Sequence, residues 1–186
     1  IPERIAEAGL SGEPTACDVL WLDDGIGGVL QKLKTMGALD NTIVFLFDDH
    51  GVESGKGSLY EGGVRSVSLA WSPTHFKGGR YSKVNISNID FAPTIMDLCH
   101  VPESQRHQVD GKSFASLLRQ PADGSWIRPW TFTQYAEARV VRNLRYKLYS
   151  SGAFFDLAAD PLEKNAISPV RQTEFEGKRK QDLQRI

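Results

Sequence analysis

The sequence predicts a mixed α/β fold in two parts: an α/β core over residues 1–122, then a small antiparallel β subdomain with a C-terminal helix over residues 123–186. Three observations carry this reading. Apolar residues recur at helical spacing from Val19 to Met36 and give way, after a turn, to the unbroken apolar run Ile43-Val44-Phe45-Leu46-Phe47. Past Pro121-Ala122-Asp123-Gly124, a cluster of turn formers, the pattern changes to short β-rich runs with no helix between them. The chain of 186 residues, 40% hydrophobic and 24% charged, has an ordinary globular composition with enough length for a core and a small appendage.

Taken in order, residues 1–16, with Pro2, Gly9, Gly12 and Pro14, read as an irregular lead-in. Val19, Leu22, Ile26, Val29, Leu30, Leu33 and Met36 fall three and four apart and define one face of an amphipathic helix that stops at Gly37. Gly25, Gly27 and Gly28 inside it each cost about 1 kcal/mol relative to alanine, and are read as marks of close packing against a neighbouring element. The run from Ile43 to Phe47 is β-branched and aromatic, too short for a helix and without polar alternation. It predicts a strand buried on both faces of a parallel sheet.

A second strand is expected over Val67-Ser68-Leu69-Ala70-Trp71. Asp90 is placed to cap a helix over residues 91–99 with Pro93 in its first turn, and Ser113 to cap a short one through Phe114, Leu117 and Leu118. Beyond the boundary the strands expected are residues 131–135, 139–142, 146–149 and 154–157, spaced closely enough to form an antiparallel meander. The charged tail from Ser168 to Ile186 predicts a docked surface helix.

Net charge is −1, from 22 basic and 23 acidic residues, so there is no electrostatic footprint for nucleic acid or for an anionic membrane surface. No apolar run approaches the roughly 18 residues of a membrane span, and the opening Ile-Pro-Glu-Arg-Ile-Ala-Glu lacks the basic and apolar regions of a signal peptide. Cys17 and Cys99 have no metal-type spacing and read as two buried thiols or one bridge. Cys99, His100 and His107 are too poorly spaced for a zinc site.

The stretch from Asn41 to Arg65 carries the chemistry. The apolar strand empties into Asp48-Asp49-His50-Gly51, and the carboxyl ends of strands in open α/β sheets are where ligands bind. Six residues beyond His50 stands Lys56, between Gly55 and Gly57. A carboxylate, an imidazole and an ammonium on one short loop point to a cation paired with an oxyanion. Glu61 and Arg65, four apart, read as a structural pair that holds the loop, and Tyr60 as a residue lining or stacking on it.

Asp40-Asn41-Thr42-Ile43-Val44, Asp49-His50-Gly51 and the run Gly55-Lys56-Gly57-Ser58-Leu59-Tyr60-Glu61-Gly62-Gly63-Val64-Arg65 together resemble the second signature region of the sulfatases, members of the alkaline-phosphatase-like superfamily. Ile89-Asp90-Phe91-Ala92-Pro93-Thr94, Asp110-Gly111-Lys112-Ser113-Phe114 and Phe155-Asp156-Leu157-Ala158-Ala159-Asp160-Pro161-Leu162-Glu163 resemble that family's later motifs, so the likeness runs over residues 18–166. It implies the C-terminal part of an α/β/α sandwich. The family's Cys/Ser-x-Pro-Ser-Arg nucleophile motif is nowhere in this chain: Cys17 is followed by Asp-Val-Leu and Cys99 by His-Val-Pro.

By that resemblance the full-length protein is a sulfuric ester hydrolase in which Asp49 and His50 bind a divalent metal and Lys56 contacts the sulfate, while a formylglycine comes from the N-terminal half that this chain lacks. Calcium is the first choice of metal, with Mn²⁺ or Zn²⁺ admitted by the imidazole nitrogen. Asp48 stands where the family has a small residue and is left without a role; the Val52-Glu53-Ser54 connection is short, and Ser66-Val67 follow Arg65 where a proline is expected. A secreted, periplasmic or lysosomal location rests on the resemblance alone. The chain's partner is expected to be the missing half or a separate chain carrying it, and the isolated piece is expected to be inactive and to associate. Two other readings stay open: a phosphodiesterase or phosphonate monoesterase on the same scaffold, and a non-catalytic remnant that binds a metal or a partner.

Overall fold

The computed structural model describes residues 2–10, 14–51, 55–119, 128–171 and 173–186. The Val52-Glu53-Ser54 connection and the boundary expected at residues 121–124 lie outside the described residues. By its contacts the chain divides into two compact units: one of residues 1–44 with 71–78, the other of residues 45–70 with 79–186.

The first unit holds helix α1 (Pro2–Glu7) and helix α2 (Pro14–Thr35), so the lead-in expected to be irregular is in part helical. Arg4 pairs with Asp24 at 2.6 Å between the two helices. At the end of α2, Gly37 N–H donates to Lys34 O and Ala38 N–H to Leu33 O, each at 3.0 Å, the paired bonds that close a helix at glycine. Two sequence expectations fail here. The apolar stripe is largely exposed, with Val19, Leu22, Val29 and Met36 each more than half accessible and Leu20 buried instead. A Cβ added at Gly25, Gly27 or Gly28 meets nothing within 4 Å, so among the described residues no neighbour's approach requires these glycines.

Strand β1 (Val44–Phe47), in the second unit from Phe45 on, leads to a single-turn helix α3 (Glu61–Val64) and to strand β2 (Ser68–Trp71), in that unit up to Ala70, which hydrogen-bonds to β1. The pair is prolonged by Asp48 N–H donating to Val67 O at 3.1 Å. β1 is half-buried, with Phe47 44% exposed, and not enclosed on both faces as expected. Its one well-packed face is set by the period of two: Phe45 and Phe47 both lie against Phe91, edge-on at 5.5 Å and stacked at 4.1 Å. Phe91 belongs to helix α4 (Phe91–Leu98) and meets Phe114 edge-on at 5.3 Å, just before helix α5 (Ala115–Arg119), whose Ala115 N–H reaches Ser113 Oγ at 3.3 Å.

Asp90 does not cap α4 by its side chain. The carboxylate reaches back to Ser87 N–H at 2.8 Å and across to Lys112 N–H at 2.8 Å, and is fully buried. Helix α4 closes with His100 in the left-handed region (φ 54°), Val101 N–H donating to Met96 O at 2.9 Å, which accounts for that histidine as a helix end.

The expected meander is present: β3 (Thr131–Tyr135), β4 (Ala138–Arg142), β5 (Tyr146–Tyr149) and β6 (Phe154–Asp156) pair antiparallel in that order. One face buries Tyr146, Leu148 and Phe154 against Leu183 of helix α6 (Glu174–Gln184), with Tyr146 stacked on Phe154 at 5.3 Å. Thr173 caps α6, its Oγ1 accepting from Glu176 N–H. The opposite face carries Arg142, Lys147 and Tyr149, and it meets the loop that leads into α3.

Candidate functional site

Pinned by its two phenylalanines, β1 ends with Asp48 and Asp49 exposed. His50 N–H donates to Asp49 Oδ1 at 2.9 Å, which turns the carboxylate back over its own loop. The His50 ring sets Nδ1 2.9 Å from Gly51 O, and since a carbonyl only accepts, Nδ1 is the protonated nitrogen. That leaves Nε2 facing Asp49 Oδ2 at 3.4 Å, with the Asp49 side chain 84% exposed. With Nδ1 carrying the ring proton, Nε2 and Oδ2 present lone pairs side by side in an exposed setting. One oxygen and one nitrogen so placed are donors that a divalent cation would suit. Among the described residues no third His, Cys, Asp or Glu joins them.

Lys56 sits exposed on a turn that Ser58 N–H closes on Gly55 O at 2.9 Å and that Gly57 completes at φ +76°. What joins this turn to the strand exit is main chain. A Cβ on Gly63 would stand 2.2 Å from Gly55 O and 2.6 Å from Ser58 O; one on Gly51 would stand 2.2 Å from Gly62 O. Gly51 N–H also donates to Gly63 O at 2.8 Å. Both His50 and Lys56 are thus next neighbours of glycines that pack against the single pair Gly62-Gly63, and no side chain larger than hydrogen fits at those crossings.

Glu61 is buried at the start of α3, but its partners are not the one expected. Arg65 is exposed and joins Glu61 only through its N–H to the Glu61 carbonyl. The Glu61 carboxylate takes Arg142 Nη1 at 2.5 Å on one oxygen and Lys147 Nζ at 3.0 Å on the other. Arg142 and Lys147 are direct cross-strand partners, a like-charge pairing that repels unless an anion bridges it, and Glu61 does so. Lys147, 0% exposed, also donates to Glu163 at 3.1 Å. The same Glu163 carboxylate accepts Glu61 N–H at 2.6 Å and the Tyr149 hydroxyl at 2.6 Å, and that hydroxyl lies 3.1 Å from Leu59 O. Burial first, and then the adjoining Glu163 carboxylate, push the Tyr149 phenol well above its ordinary value, so it remains a donor.

Lys147, Glu163 and Tyr149 escaped the sequence reading. The available signal was a lysine inside the β-rich run Tyr146-Lys147-Leu148-Tyr149, where it reads as solvent-facing. Tyr60 is half-exposed with its ring tilted against Tyr149 at 5.9 Å. Cys17 is half-buried and Cys99 exposed, both as free thiols and, among the described residues, neither in a metal cluster, which replaces the expectation of two buried ones. A cavity of about 280 Å³ on the α6 side of the meander is lined by Val141, Leu148, Gln184 and Ile186 among others, and by none of Asp49, His50 and Lys56.

The sulfatase family profile matches residues 16–101, a span that contains Asp49, His50 and Lys56. The N-sulphoglucosamine sulphohydrolase of Homo sapiens is 30% identical, covering 73% of this chain and 33% of that protein. The chain belongs to the sulfatase family. A second relative of this sulfatase chain, the N-acetylglucosamine-6-O-sulfatase of Bacteroides thetaiotaomicron, is 30% identical and covers 89% of this chain and 33% of its own length. A solved structure in complex with its substrate D-glucosamine-2-N,6-O-disulfate aligns at TM-score 0.77 and 26% identity, over 91% of this chain and 39% of that one. The sulfatase chain thus spans about a third of the length of these curated relatives.

Proposed function

We propose that this chain supplies part of the site of a sulfate-ester hydrolase, with Asp49 and His50 as ligands to a divalent metal and Lys56 on the sulfuryl oxygens. The observation that carries the reading is the Gly62-Gly63 pair, against which both the His50-Gly51 exit and the Gly55-Lys56 turn pack through main chain. The facing Asp49 oxygen and His50 nitrogen fit a cation, most simply calcium, with Mn²⁺ or Zn²⁺ as alternatives. Such a metal, when bound, supplies Lewis-acid polarisation of the ester's oxygens.

The residues of this chain do the rest of what it contributes. Asp49 and His50 present an oxygen and a nitrogen on one side of the site, the ring fixed by its bond to Gly51 O. Lys56 offers three N–H donors and a full positive charge on an exposed turn, suited to oxygens that gain charge as the S–O bond breaks. The nucleophile, a formylglycine by family resemblance, and the remainder of an α/β/α sandwich belong in this proposal to the portion of the relatives' length that the chain does not span. The names of the two relatives, both for sulfated glucosamine derivatives, support a sulfated hexosamine as substrate class.

Lys56→Ala in the full-length protein tests this. Turnover of an aryl sulfate is expected to fall by roughly 10²- to 10³-fold, the effect of removing one donor from a developing oxyanion; turnover within about twofold of the parent removes Lys56 from the site. The Asp-His pair also suits phosphoryl chemistry, so an aryl phosphodiester assayed in parallel decides between the two ester classes.

A further inference from the structure

We propose that Lys147 is a positioning residue: its buried ammonium, held between Glu61 and Glu163, fixes the path of the loop that carries Lys56. Its effect on catalysis rests on the reading of Lys56 given above, whereas the positional claim stands on geometry alone.

Arg142, Lys147, Glu61 and Glu163 form a cluster of two cations and two carboxylates whose charges cancel, with Lys147 wholly out of solvent. A buried ionic cluster of this kind is a poor source of stability, because apolar residues of the same volume would do as well or better. What apolar residues could not do is hold main-chain polar groups. Glu163 accepts the Glu61 N–H, one of the unsatisfied donors at the start of α3, and Tyr149 reaches the Leu59 carbonyl. Lys147 and Tyr149, two apart on one face of β5, therefore grip the loop on either side of Tyr60, with the ammonium 5.4 Å from the Tyr149 ring centroid.

From Glu61 the constraint passes directly to Lys56. Gly63, two residues on, packs on the carbonyls of Gly55 and Ser58, the ends of the turn on which Lys56 is mounted. Those contacts are too close for the turn to shift without α3 shifting. The meander thereby serves as a frame for the turn that carries Lys56.

The test is amide hydrogen exchange together with steady-state kinetics on the full-length protein carrying Lys147→Met, Lys147→Arg or Tyr149→Phe. Lys147→Met is expected to speed exchange over residues 55–64 about tenfold or more, while Phe91–Leu98 stays within about twofold. It should also lower kcat for an aryl sulfate more than it changes KM. Tyr149→Phe should do the same more weakly, and it carries the test alone if Lys147→Met does not fold. Lys147→Arg, which keeps the charge, should recover most of the protection.

Unchanged exchange over residues 55–64, or equal acceleration in Phe91–Leu98, overturns the proposal, the latter by making Lys147 a general stabiliser. A loosened loop with intact turnover upholds the positioning role and rejects Lys56 as a sulfate contact. An inactive Lys56→Ala beside a Lys147→Met variant with normal loop exchange does the reverse.

Discussion

Arg128 lays its guanidinium along the Asp90 carboxylate, Nε donating to Oδ2 at 2.9 Å and Nη2 to Oδ1. With Ser87 N–H and Lys112 N–H as further donors, four N–H groups converge on one carboxylate that solvent does not reach. Asp90→Ala would leave a nearly buried guanidinium and two main-chain donors unpaired. The expected loss is about 3–5 kcal/mol of unfolding free energy. A urea titration checks it, and a midpoint close to the parent's would mean that water replaces the carboxylate.

Acid should weaken the fold from a definable point. Arg145 holds the Asp156 carboxyl below the ordinary carboxylate range by donating to both oxygens, and Ser113 first, then Arg106, hold Asp97 below it. A carboxylate whose pKa is lowered on folding stabilises at every pH above its unfolded value, about 3.9, and that contribution is lost as pH falls through the folded value. Stability should thus be level above about pH 5 and decline below about pH 4. Arg145→Leu should make the decline shallower, as read from melting temperatures across that range.

Two alanine substitutions at glycine should have opposite signs. Gly27→Ala, in the middle of α2 with open space at the new methyl, is expected to stabilise the 186-residue chain by about 0.5–1 kcal/mol. Gly63→Ala drives a methyl into the Gly55 carbonyl and should destabilise by about 1–3 kcal/mol and displace the Lys56 turn. Thermal melts of both variants measure the pair, and a neutral Gly63→Ala would mean that the loop yields freely.

Metal binding can be read without an assay of turnover. If Asp49 and His50 are ligands, Ca²⁺ or Mn²⁺ at about a hundred times its Kd should add about 2.7 kcal/mol to the stability of the full-length protein. A chelator should reverse the gain, and Asp49→Asn with His50→Ala should abolish it. An equal gain in the double variant would place the ion elsewhere.

Much of the fold could be read from local pattern because local pattern determines it. The four strands of the meander fall within a residue of expectation, since short β-branched and aromatic runs between turn formers have few alternatives. Side chains that approach each other were legible where they are adjacent in sequence, as Asp49 and His50 are. They were illegible where partners are remote: Glu61 finds Lys147 across 86 positions, while the four-residue spacing to Arg65 offered a nearer, wrong partner. The apolar stripe of α2 misled for a related reason, because periodicity reports which face is apolar and says nothing of what covers it.

Alternation along β5 has one more consequence. Tyr146 and Leu148 point into grease, and Lys147 between them points into a nest of carboxylates, so sliding the strand by a single position would drive an ammonium into hydrocarbon and strand two acids against leucine. Misaligned pairings of this hairpin are therefore heavily penalised. The charge that steadies the loop also acts as a proofreader of how the chain first comes together.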